Sequence, residues 1–452
     1  MQKQLTLSIF WLTKAFVTGI FCMLFSMSGE AQDPQPTSFH FDFGSGVVTP
    51  GHVQVLPEMV YSKERGYGFE PGASLKSVSK SEGSQVRSCI VSDHPYLFTV
   101  ALPEGNYQVI ATFGDPSSES KTTVKAEIRR LMVEKVHLAM GKFESRVFNV
   151  NIRTPQILGG GEVRLKDREK GNEARAWDAN LTLEFGDERP CIVAIEIKKL
   201  ENLPVVYLCG DSTVCDQPGE AYASWGQMLT RFFKPSIVIA NHGESGESLR
   251  GFLSEKRWAK VMSLLKPNDY VIVQMGHNDS KERGEGVGAF TTYKADLRRF
   301  VADTRSKGAT PILVTPMERR GFTGLKAKLS HGDYPEAVRQ LAKEDNVAMI
   351  DLHAMSVQFY ESLGPDKAYL AFAGNGDQRD ATHHNNYGAY ELAKCIVKGI
   401  KANDLDLAKS IVDDYVDFDP SNPDNVDSFM MSTGPSRVST VPLRVLGCAF
   451  PL

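Results

Sequence analysis

Cysteine is scarce in this chain, seven in 452 residues, and no two form a Cys-x-x-Cys pair. That spacing excludes a zinc ribbon and a disulfide-dense miniature scaffold. Also missing are a His-Glu-x-x-His motif, a Walker phosphate loop and a Gly-x-Ser-x-Gly elbow, which removes the usual signatures of zinc proteases, phosphate-loop nucleotide hydrolases and α/β-hydrolases. No sign of charge dominates: 51 Lys and Arg stand against 55 Asp and Glu. With no run of basic residues interleaved with aromatics, nucleic acid is excluded as a partner, because phosphate binding needs a basic patch. Long apolar runs are absent after the first thirty or so residues. The one at the start, Ala15 to Met27, is preceded by Lys3 and Lys14 and followed by Gly29-Glu30-Ala31. It is about two thirds of the length a membrane span requires. Residues 1–31 therefore read as a secretory signal peptide, predicting a secreted or periplasmic protein with no membrane span. Cys22 lacks the small residues of a lipoprotein cleavage site before it.

What is present is an ordinary globular composition, 42% hydrophobic and 23% charged, on a chain long enough for two folded units. The remaining cysteines, Cys89, Cys191, Cys209, Cys215, Cys395 and Cys448, are widely spaced and read for the most part as small core residues, a single bridge being compatible with them. Over residues 36–200 short runs alternate apolar and polar, as in Phe39-His40-Phe41-Asp42-Phe43 and Tyr107-Gln108-Val109-Ile110-Ala111. Period two argues strands, and Pro103-Glu104-Gly105-Asn106 between two of them signals a hairpin, so this region predicts a β-sandwich.

Over residues 203–402 the pattern becomes strand, then helix, repeated. Short apolar runs at Val205 to Cys209, Ser236 to Asn241, Tyr270 to Met275, Pro311 to Thr315 and Val347 to Asp351 suit strands buried on both faces, and helical periodicity covers Leu249 to Leu265, Phe290 to Arg305 and Tyr387 to Ile400. The fold predicted is α/β, a doubly wound parallel five-stranded sheet with helices on both faces, with ligands expected at the carboxyl ends of the strands. Residues 403–452 begin acidic and predict an irregular tail.

Chemistry gathers at those strand ends. Gly210-Asp211-Ser212 follows the first strand at once and seats Ser212 as a nucleophile, although an isolated Gly-Asp-Ser more often caps a helix. The second strand ends in Asn241 to Ser248 and the third in Gly276-His277-Asn278-Asp279, where a glycine lets a backbone N–H face a substrate oxygen and an asparagine amide adds a second donor. Before the last helix stands Asp380-Ala381-Thr382-His383, a carboxylate and an imidazole within reach of one another, with His384 as a competing base. Each block alone reads as a turn or a cap. Their conjunction in order is what points to acyl transfer.

These blocks resemble those of the SGNH (GDSL) hydrolase superfamily. More narrowly, Gly-Asp-Ser-Thr-Val at Gly210 to Val214, Gly-His-Asn-Asp at Gly276 to Asp279 and Asp-Ala-Thr-His at Asp380 to His383 are similar to the rhamnogalacturonan acetylesterase family. The resemblance implies a flavodoxin-like catalytic domain preceded by a galactose-binding-like sandwich, beginning much as Phe41-Asp42-Phe43-Gly44 does here. It implies Ser212, Asp380 and His383 as the catalytic residues and Ser212, Gly246 and Asn278 as oxyanion donors, with no metal and no cofactor. The expected partner is an acetylated polysaccharide or oligosaccharide. Two alternatives remain: a lipase or thioesterase for longer acyl chains, opposed by the polar residues Glu244, Glu247, Arg250, Lys281, Glu282 and Arg283 near the turns, and a carbohydrate-binding protein with an inert hydrolase domain. Trp177, Tyr61 and Tyr67 are candidates for a sugar platform on the sandwich, or for its core.

Overall fold

A computed structural model of the protein describes residues 36–434, apart from 83–84 and 376–377. The expected signal peptide, Cys22, and the end of the tail with Cys448 lie outside the described residues.

Alternating side chains build the first region as expected. In Gly105–Phe113, Tyr107, Val109, Ala111 and Phe113 point into the core while their neighbours are half-exposed. That strand lies between Glu144–Ile152 and Ala194–Leu200, and Ser38–Phe43 and Val53–Val55 complete a five-stranded sheet. A second sheet orders Tyr67–Phe69, Tyr96–Ala101, Asn180–Gly186, Ser120–Ala126 and Arg130–Leu138. Aromatic edges fill the space between the sheets, with Phe98 against Phe41, Phe43 and Phe69 at 5.1 to 5.4 Å between ring centres.

The second sheet departs from simple alternation. Lys125, Glu127, Arg129, Arg130, Thr182 and Glu184 are buried although they face away from the sandwich core. They are covered by the α/β region: Arg130 pairs with Asp216 at 2.9 Å, and Ile128 and Leu131 carbonyls accept from Gln227 and Thr230. The two regions meet across a polar, closely bonded face. Trp177 is part of this burial, with Arg153 over its ring at 4.4 Å, so it offers no free platform, while the half-exposed Tyr61 donates its hydroxyl to Asn180.

All five strands of the α/β sheet run parallel in the order Val238–Asn241, Val205–Gly210, Tyr270–Gln274, Thr310–Val314, Ala348–Ile350. Val206 and Leu208 join the core formed with Trp225–Leu229, Leu352–Leu363 and Asn386–Ala402, while Val205, Tyr207 and Cys209 join that of Leu249–Ser254, Arg257–Leu264, Lys294–Ser306 and Tyr334–Glu344. Chain order reverses beside Val205–Gly210, and sheets of this kind take their ligands at the carboxyl end of such a switch point.

The helix expected over Leu249 to Leu265 is two, because Lys256 adopts φ +62° between them. The one expected from Phe290 begins as a π turn, Ala289–Tyr293, before Lys294–Ser306. In the tail, Leu407, Ile411 and Phe418 are buried against the last helix's core, and the Ser432 carbonyl accepts from Lys125 at 2.7 Å. The five cysteines among the described residues are free and buried. Among the described residues no helix is long and apolar enough to cross a membrane.

Candidate active site

Gly210 ends the first strand because nothing larger fits: an added Cβ would lie 2.3 Å from Val214 and 2.9 Å from the Gln274 carbonyl. The chain turns at once, and the Asp211 carboxylate holds the turn by accepting from the Thr213 N–H and hydroxyl at 2.9 and 2.7 Å. Burial opposes ionisation of Asp211, but His277 nearby and the Thr213 donors outweigh it and keep the carboxyl below its ordinary range. Ser212 does not cap a helix. The next one starts at Trp225 and is capped by Ser224, which leaves the Ser212 hydroxyl free at the sheet edge.

Its partner comes from far along the chain. His383 Nε2 lies 2.8 Å from Ser212 Oγ, and His383 Nδ1 lies 2.7 Å from Asp380 Oδ2. Asp380 and His383 stand on a short hairpin, Phe372–Asn375 with Gln378–His384, rather than in a free turn. In a regular strand, residues three apart face opposite sides. Here Asp380 Oδ1 accepts from the backbone N–H groups of Thr382 and His383, which bends the strand until both side chains meet. Burial pushes the Asp380 carboxyl up, yet the His383 ring and these two N–H groups hold it well below the usual carboxylate range. An ionised Asp380 fixes the proton on Nδ1 and leaves Nε2 to accept from the Ser212 hydroxyl. The end of the hairpin is pinned to the Ser212 loop by the Ala223 N–H donating to the His384 carbonyl at 2.8 Å.

His384 is removed as a competitor. It is buried between Tyr360 and Phe372, its Nε2 is 2.8 Å from the Tyr360 hydroxyl, and burial lowers its pKa to about 3.

The residues expected as oxyanion donors stand on the neighbouring strand ends. Gly246 sits at the exposed tip of the loop after Val238–Asn241, with φ +80°. Asn278 follows Tyr270–Gln274, and its amide donates one hydrogen to the Glu247 carbonyl at 2.9 Å, which orients the group. Asn241 ties the loops together, donating to Val214 O and Asp216 and accepting from the Gly243 N–H. Among the described residues no group of three or more His, Cys, Asp or Glu is arranged to hold a metal ion.

A family model described as GDSL-like lipase/acylhydrolase matches residues 208–389, and one described as beta-agarase/YXIM esterase-like, galactose-binding domain-like matches 39–152. The probable rhamnogalacturonan acetylesterase YesY of Bacillus subtilis is 37% identical, the match covering 46% of this chain and 97% of the relative. The chain belongs to the GDSL (SGNH) hydrolase family. This SGNH hydrolase is thereby a carboxylic ester hydrolase. Rhamnogalacturonan acetylesterase RhgT of the same organism is 36% identical over 46% of this chain and 94% of its own length. The uncharacterized esterase YxiM, also from B. subtilis, is 28% identical and spans both regions, 86% of this chain and 97% of the relative.

Two features of the SGNH hydrolase were not read from sequence. Glu244 and Glu247, expected on a polar rim, are buried and paired with Arg168 and Lys166. Those cations lie between the strands Glu144–Ile152 and Asn180–Gly186, in a segment whose mixed charges carry no strand or helix period. Only the alternation of opposite charges from Lys166 to Glu173 could have hinted at it.

Proposed function

We propose that this hydrolase is a secreted carbohydrate acetylesterase that removes acetyl groups from pectic rhamnogalacturonan, with residues 36–200 as the sandwich, 203–402 as a doubly wound catalytic domain and 403–452 as the tail. The observation that carries the reading is the unbroken chain of hydrogen bonds from Asp380 through His383 to Ser212, at 2.7 and 2.8 Å. In it Ser212 is the nucleophile, His383 the base and Asp380 the group that orients and charges the imidazole. His383 Nε2 takes the Ser212 proton as Oγ attacks the acetyl carbonyl. The resulting oxyanion accepts from the Ser212 and Gly246 N–H groups and the free hydrogen of the Asn278 amide. His383 then gives the proton to the sugar oxygen as its bond to the acetyl carbon breaks, so the sugar leaves with a free hydroxyl, and water releases acetate from Ser212 by the reverse relay. No metal or organic cofactor takes part.

Three features support a sugar substrate: two relatives named for rhamnogalacturonan, a galactose-binding-like domain, and an aromatic rim at the base itself. Tyr222, 38% exposed, stands edge-on to His383 with ring centres 5.9 Å apart, where a pyranose face can pack. The test is acetate release from a panel of acetylated polysaccharides, with a serine-directed fluorophosphonate as the site probe. Rhamnogalacturonan should lead, xylan should follow, and Ser212→Ala should abolish labelling. Labelling that persists in a folded Ser212→Ala protein removes the mechanism, and acetate from no pectic polymer removes the substrate.

A further inference from the structure

A planar trans peptide points its C=O and N–H in opposite directions, so whatever grips the carbonyl aims the amide. Gly246 shares its peptide with the Ser245 carbonyl. Two cations converge on that oxygen: Lys166 Nζ donates to it at 2.8 Å, and Arg168 Nη2 donates to it as well. The same two side chains also fasten the flanking residues. Arg168 Nε donates to Glu244 at 2.7 Å, and Lys166 pairs with Glu247, whose carbonyl in turn orients Asn278. Behind them the segment is anchored, since Glu169 accepts from Arg257 at 2.9 Å and from the Trp177 indole at 2.8 Å.

We infer that Lys166 and Arg168, supplied by the sandwich region, are positioning residues of the oxyanion site, holding and polarising the Ser245–Gly246 peptide so that its N–H faces the reacting carbonyl. The inference rests on Gly246 being an oxyanion donor. Its physical basis is twofold. Charged donors bind a carbonyl about twice as strongly as neutral ones, and hydrogen bonds in series polarise one another, so an amide whose oxygen is gripped by two cations donates more strongly. A glycine at positive φ also leaves the peptide free to rotate, and the clamp removes that freedom. The sandwich therefore serves the chemistry directly, whether or not it holds glycan.

The experiment uses the full chain. Lys166→Met and Arg168→Met, singly and together, are assayed on an acetate ester beside Arg168→Lys. The double variant should lose about 10- to 100-fold in kcat with KM within about twofold, as expected for a donor that acts only in the transition state. Affinity for a boronic acid, which forms a tetrahedral anion on the serine, should fall by the same factor, while the pH profile set by the base stays in place and Arg168→Lys keeps most of the activity. Removing a cation strands a buried carboxylate, so the charge-balanced Lys166→Met/Glu247→Gln and Arg168→Met/Glu244→Gln pairs repeat the measurement if the single variants fail to fold. Folded variants that keep kcat and boronate affinity within twofold overturn the clamp. Activity in Ser212→Ala would instead overturn the site reading on which it rests.

Discussion

Ser212, Asp380 and His383 meet through contacts made within the α/β region, whereas the loop that carries Gly246 is fastened by side chains arriving from the sandwich. On the first side the forces are hydrogen bonds made within one region, most of them buried: a turn closed by Asp211, a strand bent by Asp380, one backbone bond from Ala223 to His384. On the second side they are charge pairs, the half-exposed Lys166 and Arg168 on the buried Glu247 and Glu244 respectively, and the buried Arg257 on the buried Glu169. A buried ion pair gains little net stability over an apolar pair of like volume, but it penalises every geometry in which a charge loses its partner. The two sides should therefore fail differently. Substitutions on the triad side should remove chemistry and leave the fold, and substitutions on the clamp side should cost both.

The largest effect expected is on the triad side. Ser212→Ala and His383→Ala should each lower kcat on the order of 10⁴-fold or more. Neither should change the unfolding transition by more than a surface substitution does, because both side chains are partly exposed. Circular dichroism and a urea transition beside the assay check this. Asn278→Ala sits where the two sides join, and if Asn278 serves as the proposed oxyanion donor its loss should cost about 10²- to 10³-fold in kcat. Steady-state kinetics should place that loss in kcat and not in KM.

His384→Ala sharpens the comparison from inside the hairpin. It removes a buried ring packed between Tyr360 and Phe372, so it should cost about 2–3 kcal/mol of stability and far less activity than His383→Ala. A reversed ranking of the two histidines would mean that the base has been misassigned.

The last effect touches stability and not chemistry: it concerns the face between the two regions, and it appears as a slope with pH. Glu127 is buried there, and burial raises its pKa to about 8 against the opposing pull of Arg130. The folded protein therefore keeps a proton that the unfolded chain releases near pH ~4.3. Through that window the folded state binds more protons, so stability falls as pH rises and levels off above about 8. Glu127→Gln should flatten the slope between pH 5 and 8, read from urea midpoints, and a slope that is unchanged would remove Glu127 as its source.

The meeting of Ser212, Asp380 and His383 was legible in sequence because each lies at a strand end or beside the last helix, where short apolar runs and their punctuation give the position. Gly210-Asp211-Ser212 and Asp380 to His383 needed only their order along the chain. The clamp side was not legible, since Lys166 and Arg168 reach Ser245 across almost eighty residues of sequence and lie in a segment with no period to read. Burial of Glu244 and Glu247 was likewise hidden, because a glutamate in a polar turn looks solvated until its partners are known. The sandwich followed from alternation, but its second sheet is charged outside as well as apolar inside. That signature belongs to an internal interface and cannot be told from a wet surface by pattern alone. The break at Lys256 is a single left-handed residue, and the bend at Asp380 is made by its own carboxylate on nearby N–H groups; neither shows in an apolar period.

Serine-dependent deacetylation of a pectic sugar is put to the test by measuring kcat/KM over a series of acyl esters from acetyl to octanoyl, beside acetate release from acetylated rhamnogalacturonan, for the wild-type protein and Ser212→Ala. The wild-type protein should release acetate from the polymer and fall steeply from acetyl to butyryl and beyond, and the variant should turn over neither kind of substrate. Preference for octanoyl over acetyl, with no acetate released from the polymer, would contradict this expectation.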